Sequence, residues 1–133
     1  MAKQFTLGKN ERLKSRKQTE HLFSSGKKFT LSPFRIYYSF NKSETPLLPS
    51  LTIGFGATVS SKIFKKAVDR NRVKRVIREA WRLQKSILQE KLAAQNKHMN
   101  IFFIYTDKEL PAYKEVFEKI GKSINKLLGI INE

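Results

Sequence analysis

Residues 62–85 constrain this chain more than any other stretch. Read from Ser61, SKIFKKAVDRNRVKRVIREAWRLQK holds ten Lys or Arg (62, 65, 66, 70, 72, 74, 75, 78, 82 and 85) against two acids, Asp69 and Glu79. Its net charge of +8 is half of the chain's +16. At about 100° per residue from Arg70, the residues Val73, Val76, Ile77, Ala80, Gln84 and Ile87 fall near 240–340°. Arg70, Lys74, Lys85, Arg78, Arg82 and Arg75 fall between about 0 and 140°. One helix thus carries an apolar stripe for docking and a cationic stripe for display. It needs an apolar layer to lie on, and its outward field favours a polyanion.

Strands that can supply that layer precede it. In 34–40, FRIYYSF, Phe34, Ile36, Tyr38 and Phe40 share one face, and Arg35, Tyr37 and Ser39 the other. In 51–59, Leu51, Ile53, Phe55, Ala57 and Val59 share one face, with Thr52, Gly54, Gly56 and Thr58 opposite. Two consecutive strands of this kind are expected to form an antiparallel pair with one open side. The Gly/Thr face is low in relief. It either lets a helix pack closely or leaves a smooth floor for a ligand.

The remaining segments complete a two-layer plan. Residues 1–14, with Lys3, Lys9, Arg12 and Lys14, read as a mobile basic arm, or as a frayed terminus that binds nothing. Ser15 and Gln18 have capping-box spacing for a short helix that Gly26 stops. The Pro-containing stretch 41–50 is a loop. A long helix is predicted over 65–94, broken by Asn96, followed by a continuous apolar strand at 100–106 that should be buried on both sides. After a turn at 107–111, a last helix at 112–131 should bury Tyr113, Val116, Phe117, Ile120, Ile124, Leu127 and Leu128. Its region is charge-neutral and reads as scaffold. The expected fold is a two-layer α/β sandwich of the α+β type with a small mixed sheet, in the order α-β-β-(β)-α-β-α. It makes one domain over 1–133.

Composition narrows the chemistry. At 40% hydrophobic and 29% charged residues the chain is globular, and a pI of about 10.3 selects an anionic partner. There is no cysteine, which excludes disulfides and thiolate metal sites and fits a cytoplasmic protein. No apolar run reaches spanning length, so no membrane role is expected, and Met1 begins no signal peptide. His21 and His98 lack a neighbouring ligand pattern. The GFG at 54–56 lacks the third glycine of a dinucleotide motif, and Glu115 and Glu118 lie on an ordinary amphipathic helix. No catalytic centre, metal site or small-molecule cofactor is expected.

Among polyanions, RNA fits best. The display stripe is nearly pure Lys and Arg, apart from Asn71, which suits positioning on phosphates more than base readout. A sheet face with Arg35 and Tyr37 resembles a platform on which single-stranded bases stack. The run Lys66-Ala67-Val68-Asp69-Arg70-Asn71-Arg72-Val73-Lys74-Arg75-Val76-Ile77-Arg78-Glu79-Ala80-Trp81 closely resembles the signature of the bacterial ribonuclease P protein subunit. RNR at 70–72, then Lys74, Arg75 and Arg78, after a V-S-x-K strand end (Val59, Ser60, Lys62), is the specific part. A looser likeness runs from Arg12-Leu13-Lys14 through Leu22-Phe23 and Gly26 to the Tyr37 strand and beyond.

The resemblance implies a left-handed β-α-β crossover, against the general right-handed preference. It implies contacts to the catalytic RNA from Arg70, Asn71, Arg72, Lys74, Arg75 and Arg78, and Lys62 and Lys66 of the same basic stretch are expected to join them. A central cleft between sheet and helix would take the single-stranded 5′ leader of precursor tRNA. Phe23 and Tyr37 match the cleft aromatics, and Arg35, Thr52, Gly54 and Gly56 would line the cleft with them. Thr19 stands where many members have a phenylalanine. The implied function is that of a noncatalytic subunit promoting endonucleolytic leader removal, with hydrolysis left to ribonuclease P RNA and its Mg²⁺. A structural RNA-binding protein, such as a ribosomal component of similar fold, is the alternative, and a DNA-binding protein stands third.

Overall fold

The computed structural model describes residues 22–131, apart from 25, 43, 47 and 61. The basic arm at 1–14, the capping positions Ser15 and Gln18, Thr19 and His21 lie outside the described residues. Strands β1 (Lys27–Leu31) and β2 (Phe34–Lys42) form a hairpin across Ser32 and Pro33, which are joined by a cis peptide bond. Then follow β3 (Ile53–Val59), helices α1 (Ala67–Gln84) and α2 (Ser86–Ala94), strand β4 (Lys97–Tyr105) and helix α3 (Tyr113–Ile131). The sheet order is β1-β2-β4-β3. β4 pairs antiparallel with β2 and parallel with β3, so the sheet is mixed, with a β-α-β crossover through α1 and α2.

β2 and β3 are therefore not the antiparallel pair expected from their patterns. The connection from Lys42 to Ile53 is longer than the two to five residues typical of a hairpin loop, and a 3-10 turn at Pro49–Leu51 carries the chain away. β4 takes the place between them. It also differs from the sequence expectation of burial on both sides. Met99, Ile101, Phe103 and Tyr105 are buried, while Asn100, Phe102 and Ile104 face the other way and are half-buried. An apolar run is what a central strand needs when both of its faces are at least partly covered.

The core lies between one sheet face and helices α1 and α3. α1 docks through Val73, Ile77, Ala80 and Trp81. Trp81 stacks on Phe55 at 4.9 Å and 15° and meets Phe103 at 5.7 Å. α3 contributes Val116, Ile120, Ile124, Leu127 and Ile131, and the Gln84 side chain ties the two helices by donating to Phe117 O at 2.9 Å. Tyr113 and Phe117, expected in the core, instead pack on each other at 5.9 Å with both rings well exposed.

The single helix expected at 65–94 is divided at Lys85. Gln84 Nε2 also donates to Ala80 O at 3.2 Å and so competes for a carbonyl of the helical ladder at that point. Lys85, placed on the display stripe by its spacing, is buried, and Ile87, placed on the docking stripe, is 57% exposed. Asn96 ends α2 as expected. Its φ of 53° is the left-handed conformation that asparagine tolerates better than most residues.

Candidate nucleic-acid interface

The sheet face turned away from α1 and α3 is ordered by strand register. Lys28, Tyr37, Phe102 and Gly56 form one row across the four strands, and Thr30, Arg35, Ile104 and Thr58 form the next. Phe23 comes onto this face from the helical residues 22–24. Leu22 beside it is buried, and Gly26 N closes the turn on Leu22 O at 2.9 Å. The Phe23 ring stands 4.9 Å from Tyr37 and 5.2 Å from Phe102, edge-on to both, and is 42% exposed. Arg35 is exposed one row away. Three rings within reach of a solvent-accessible sheet face are what base stacking requires.

The glycine face explains itself at residue 56. A Cβ there would stand 2.5 Å from two carbons of the Phe102 ring, so the missing side chain makes room for that ring. Gly54 is buried. Thr52 lies ahead of β3, fully buried, with its hydroxyl donating to Pro49 O at 2.7 Å and its carbonyl accepting from Met99 N at 2.7 Å. Neither Thr52 nor Gly54 offers the accessible floor that their spacing suggested. The floor is aromatic instead. Phe102 is the residue that sequence reasoning missed, because its outward period was hidden inside the apolar run NIFFIYT.

The cationic surface lies on the far side of the sheet, along α1. Asn71, Arg72, Arg75 and Arg78 are exposed there, and Lys74 is half-buried. Val68, 76% exposed, joins Asn71, Arg72 and Arg75 in lining a shallow depression. The display arc is thus turned relative to the one drawn from spacing. Trp81, at about 20° from Arg70, belongs to the docking side, and Arg72, at about 200°, to the display side. Arg70 itself is half-buried, with Nη1 donating to Phe64 O at 2.8 Å and Lys65 O at 2.9 Å. Arg82 is paired with Glu79. That hydrogen bond raises the arginine pKa and holds the Glu79 carboxyl below its usual range.

The two surfaces do not share one groove between helix and glycine floor. They meet around the edge strand β3. Between Val59 and α1, residues 62–66 place the exposed Lys62, Lys65 and Lys66 next to the sheet end that carries Thr58 and Arg35. The N-terminus of α1 adds its positive dipole end there. His98, on the same sheet face as Phe102, is half-buried, and burial lowers its pKa. Among the described residues, no helix is long and apolar enough to cross a membrane.

Fold and surfaces together define a basic α+β protein that couples an aromatic sheet face to an arginine-bearing helix, the plan of an RNA-binding module. The sequence profile of the Ribonuclease P family matches residues 7–131. A ribonuclease P protein component from Porphyromonas gingivalis is 34% identical over 125 residues, which cover 94% of this chain and 88% of that one. One from Syntrophus aciditrophicus is 40% identical over 83 residues, 62% of this chain and 63% of its own. The solved ribonuclease P protein of Thermotoga maritima superposes with a TM-score of 0.65 at 26% identity, over 87% of this chain and 96% of that one. That of Staphylococcus aureus, at 18% identity, shares the fold with a TM-score of 0.62 over 89% of this chain and 94% of its own. The chain belongs to the ribonuclease P protein family: it is an RNA-binding protein component of an endoribonuclease of tRNA processing. The ribosomal alternative has no support.

Proposed function

We propose that the chain binds ribonuclease P RNA through α1 and the 62–66 turn, and holds the single-stranded 5′ leader of precursor tRNA on the sheet face. The observation that carries this reading is the ring cluster in which Phe23 packs on both Tyr37 and Phe102 while remaining reachable from solvent. Each base stacked on such a ring contributes roughly 1–3 kcal/mol without demanding a sequence. Arg35 stands one row away, in reach of the leader backbone. On the other surface Lys62, Lys66, Asn71, Arg72, Lys74, Arg75 and Arg78 supply phosphate contacts, which position folded RNA and screen its self-repulsion.

Hydrolysis is assigned to the RNA with its Mg²⁺, and the chain binds no cofactor. Its part is to hold two RNA elements at a fixed distance across β3. The cysteine-free sequence suits work in the cytoplasm. The test is precursor cleavage by the cognate RNA at low Mg²⁺, with and without the protein. Faster cleavage with the protein is expected. No binding to that RNA and no gain in cleavage would overturn the reading.

A further inference from the structure

Arg70 is turned away from the display face of α1. It sits beside the docking residues, half-buried, and its Nη1 serves two carbonyls of the preceding turn, Phe64 O and Lys65 O. That turn is otherwise tied by Lys62 N donating to Ser60 Oγ at 3.1 Å and by Lys66 O accepting from Arg70 N at 3.2 Å. Lys66 at the N-cap makes no side-chain capping bond. Upstream, Ile63 N and Phe64 N donate to Ser60 O at 3.2 and 3.0 Å, and the buried Phe64 ring lies 6.2 Å from Tyr105. Between these anchors Lys62, Lys65 and Lys66 are exposed, three like charges within five residues that repel one another. Left unpinned, they would have to be ordered at the moment of binding, at an entropic cost to affinity.

We infer that Arg70 is a positioning residue. It fixes the 62–66 turn so that Lys62, Lys65 and Lys66 stand beside Arg72 and Arg75 as one preorganised phosphate-binding rim, and it acts through that turn instead of through its own contact with RNA. The inference rests on the reading of α1 and this turn as the RNA face. It separates two arginines of the same RNR motif: Arg72 touches RNA, and Arg70 holds the lysines that do.

The test has two readouts on the full chain. In the free protein, amide exchange at Ile63 and Phe64 should quicken on the order of tenfold in Arg70→Met, as expected when two hydrogen bonds are lost, and stay unchanged in Arg72→Met. The Val73 and Ile77 amides report whether the fold survives, and Arg70→Gln replaces the Met variant if it does not. In binding to ribonuclease P RNA, Lys62→Ala/Lys66→Ala should lose on the order of tenfold in the wild-type and Arg72→Met backgrounds, but under about twofold in Arg70→Met. A full additive loss in Arg70→Met, or wild-type exchange at Ile63 and Phe64, overturns the positioning role alone. Wild-type RNA binding by both Arg72→Met and the lysine pair overturns the RNA face, and the inference with it.

Discussion

The ring of Phe102 fills the space that a side chain at Gly56 would need, with ring carbons 2.5 Å from where its Cβ would stand. Register places Phe102 between Tyr37 and Gly56, so the glycine leaves room for a ring that also meets Phe23 at 5.2 Å. Gly56→Ala should therefore push the ring off its site and destabilise the fold by about 1–3 kcal/mol, the usual cost of overpacking. In urea denaturation, adding Phe102→Ala to Gly56→Ala should cost less than Phe102→Ala alone, because the clash disappears with the ring. Simple additivity would mean that the glycine serves some other neighbour.

Arg72 and Arg82 lie on the same helix but should differ in their effect on RNA binding. Arg72 is exposed beside Arg75, whereas Arg82 is held by Glu79. Arg72→Met should reduce the slope of log affinity against log salt by about one unit, and Arg82→Met should leave it nearly unchanged. Salt titrations of ribonuclease P RNA binding measure both. Equal changes in slope would mean that the Glu79 pair opens on the RNA.

Acid sensitivity should trace in part to His98. Burial holds its pKa below the ordinary 6.5, so the unfolded chain takes up a proton first as the pH falls. The sign follows: this contribution is complete above about pH 6.5 and is lost as pH falls toward the folded-state pKa. Denaturation between about pH 7.5 and 5 should show a shallower loss of stability in His98→Gln than in the wild type. An identical slope would place the loss on other groups.

Much of the fold was legible because it is local. The alternation at 34–40 gave the two faces of β2, and Asn96 marked the end of α2. The pairing order was not, because β4 enters between β2 and β3 only after the two-helix crossover, and nothing in either earlier strand reports that neighbour. The site was half legible. Tyr37 was found from the strand alternation and Phe23 from the resemblance, while Phe102 was masked by flanking apolar residues. Thr52 misled because the strand period was carried into a 3-10 turn, where its hydroxyl is used locally. On α1 the spacing could not tell that Trp81 would pull the docking arc toward Arg70, and charge alone gave no sign that Lys85 would be buried.

On the proposed function, the aromatic face holds the leader and touches nothing else of the substrate. The direct test is the affinity of the holoenzyme for precursor tRNA against mature tRNA, with wild-type protein and with Tyr37→Ala and Phe102→Ala. Each substitution should weaken precursor binding by roughly 1–3 kcal/mol, about 5- to 150-fold, and leave mature tRNA within about twofold. Equal losses on both substrates would contradict it.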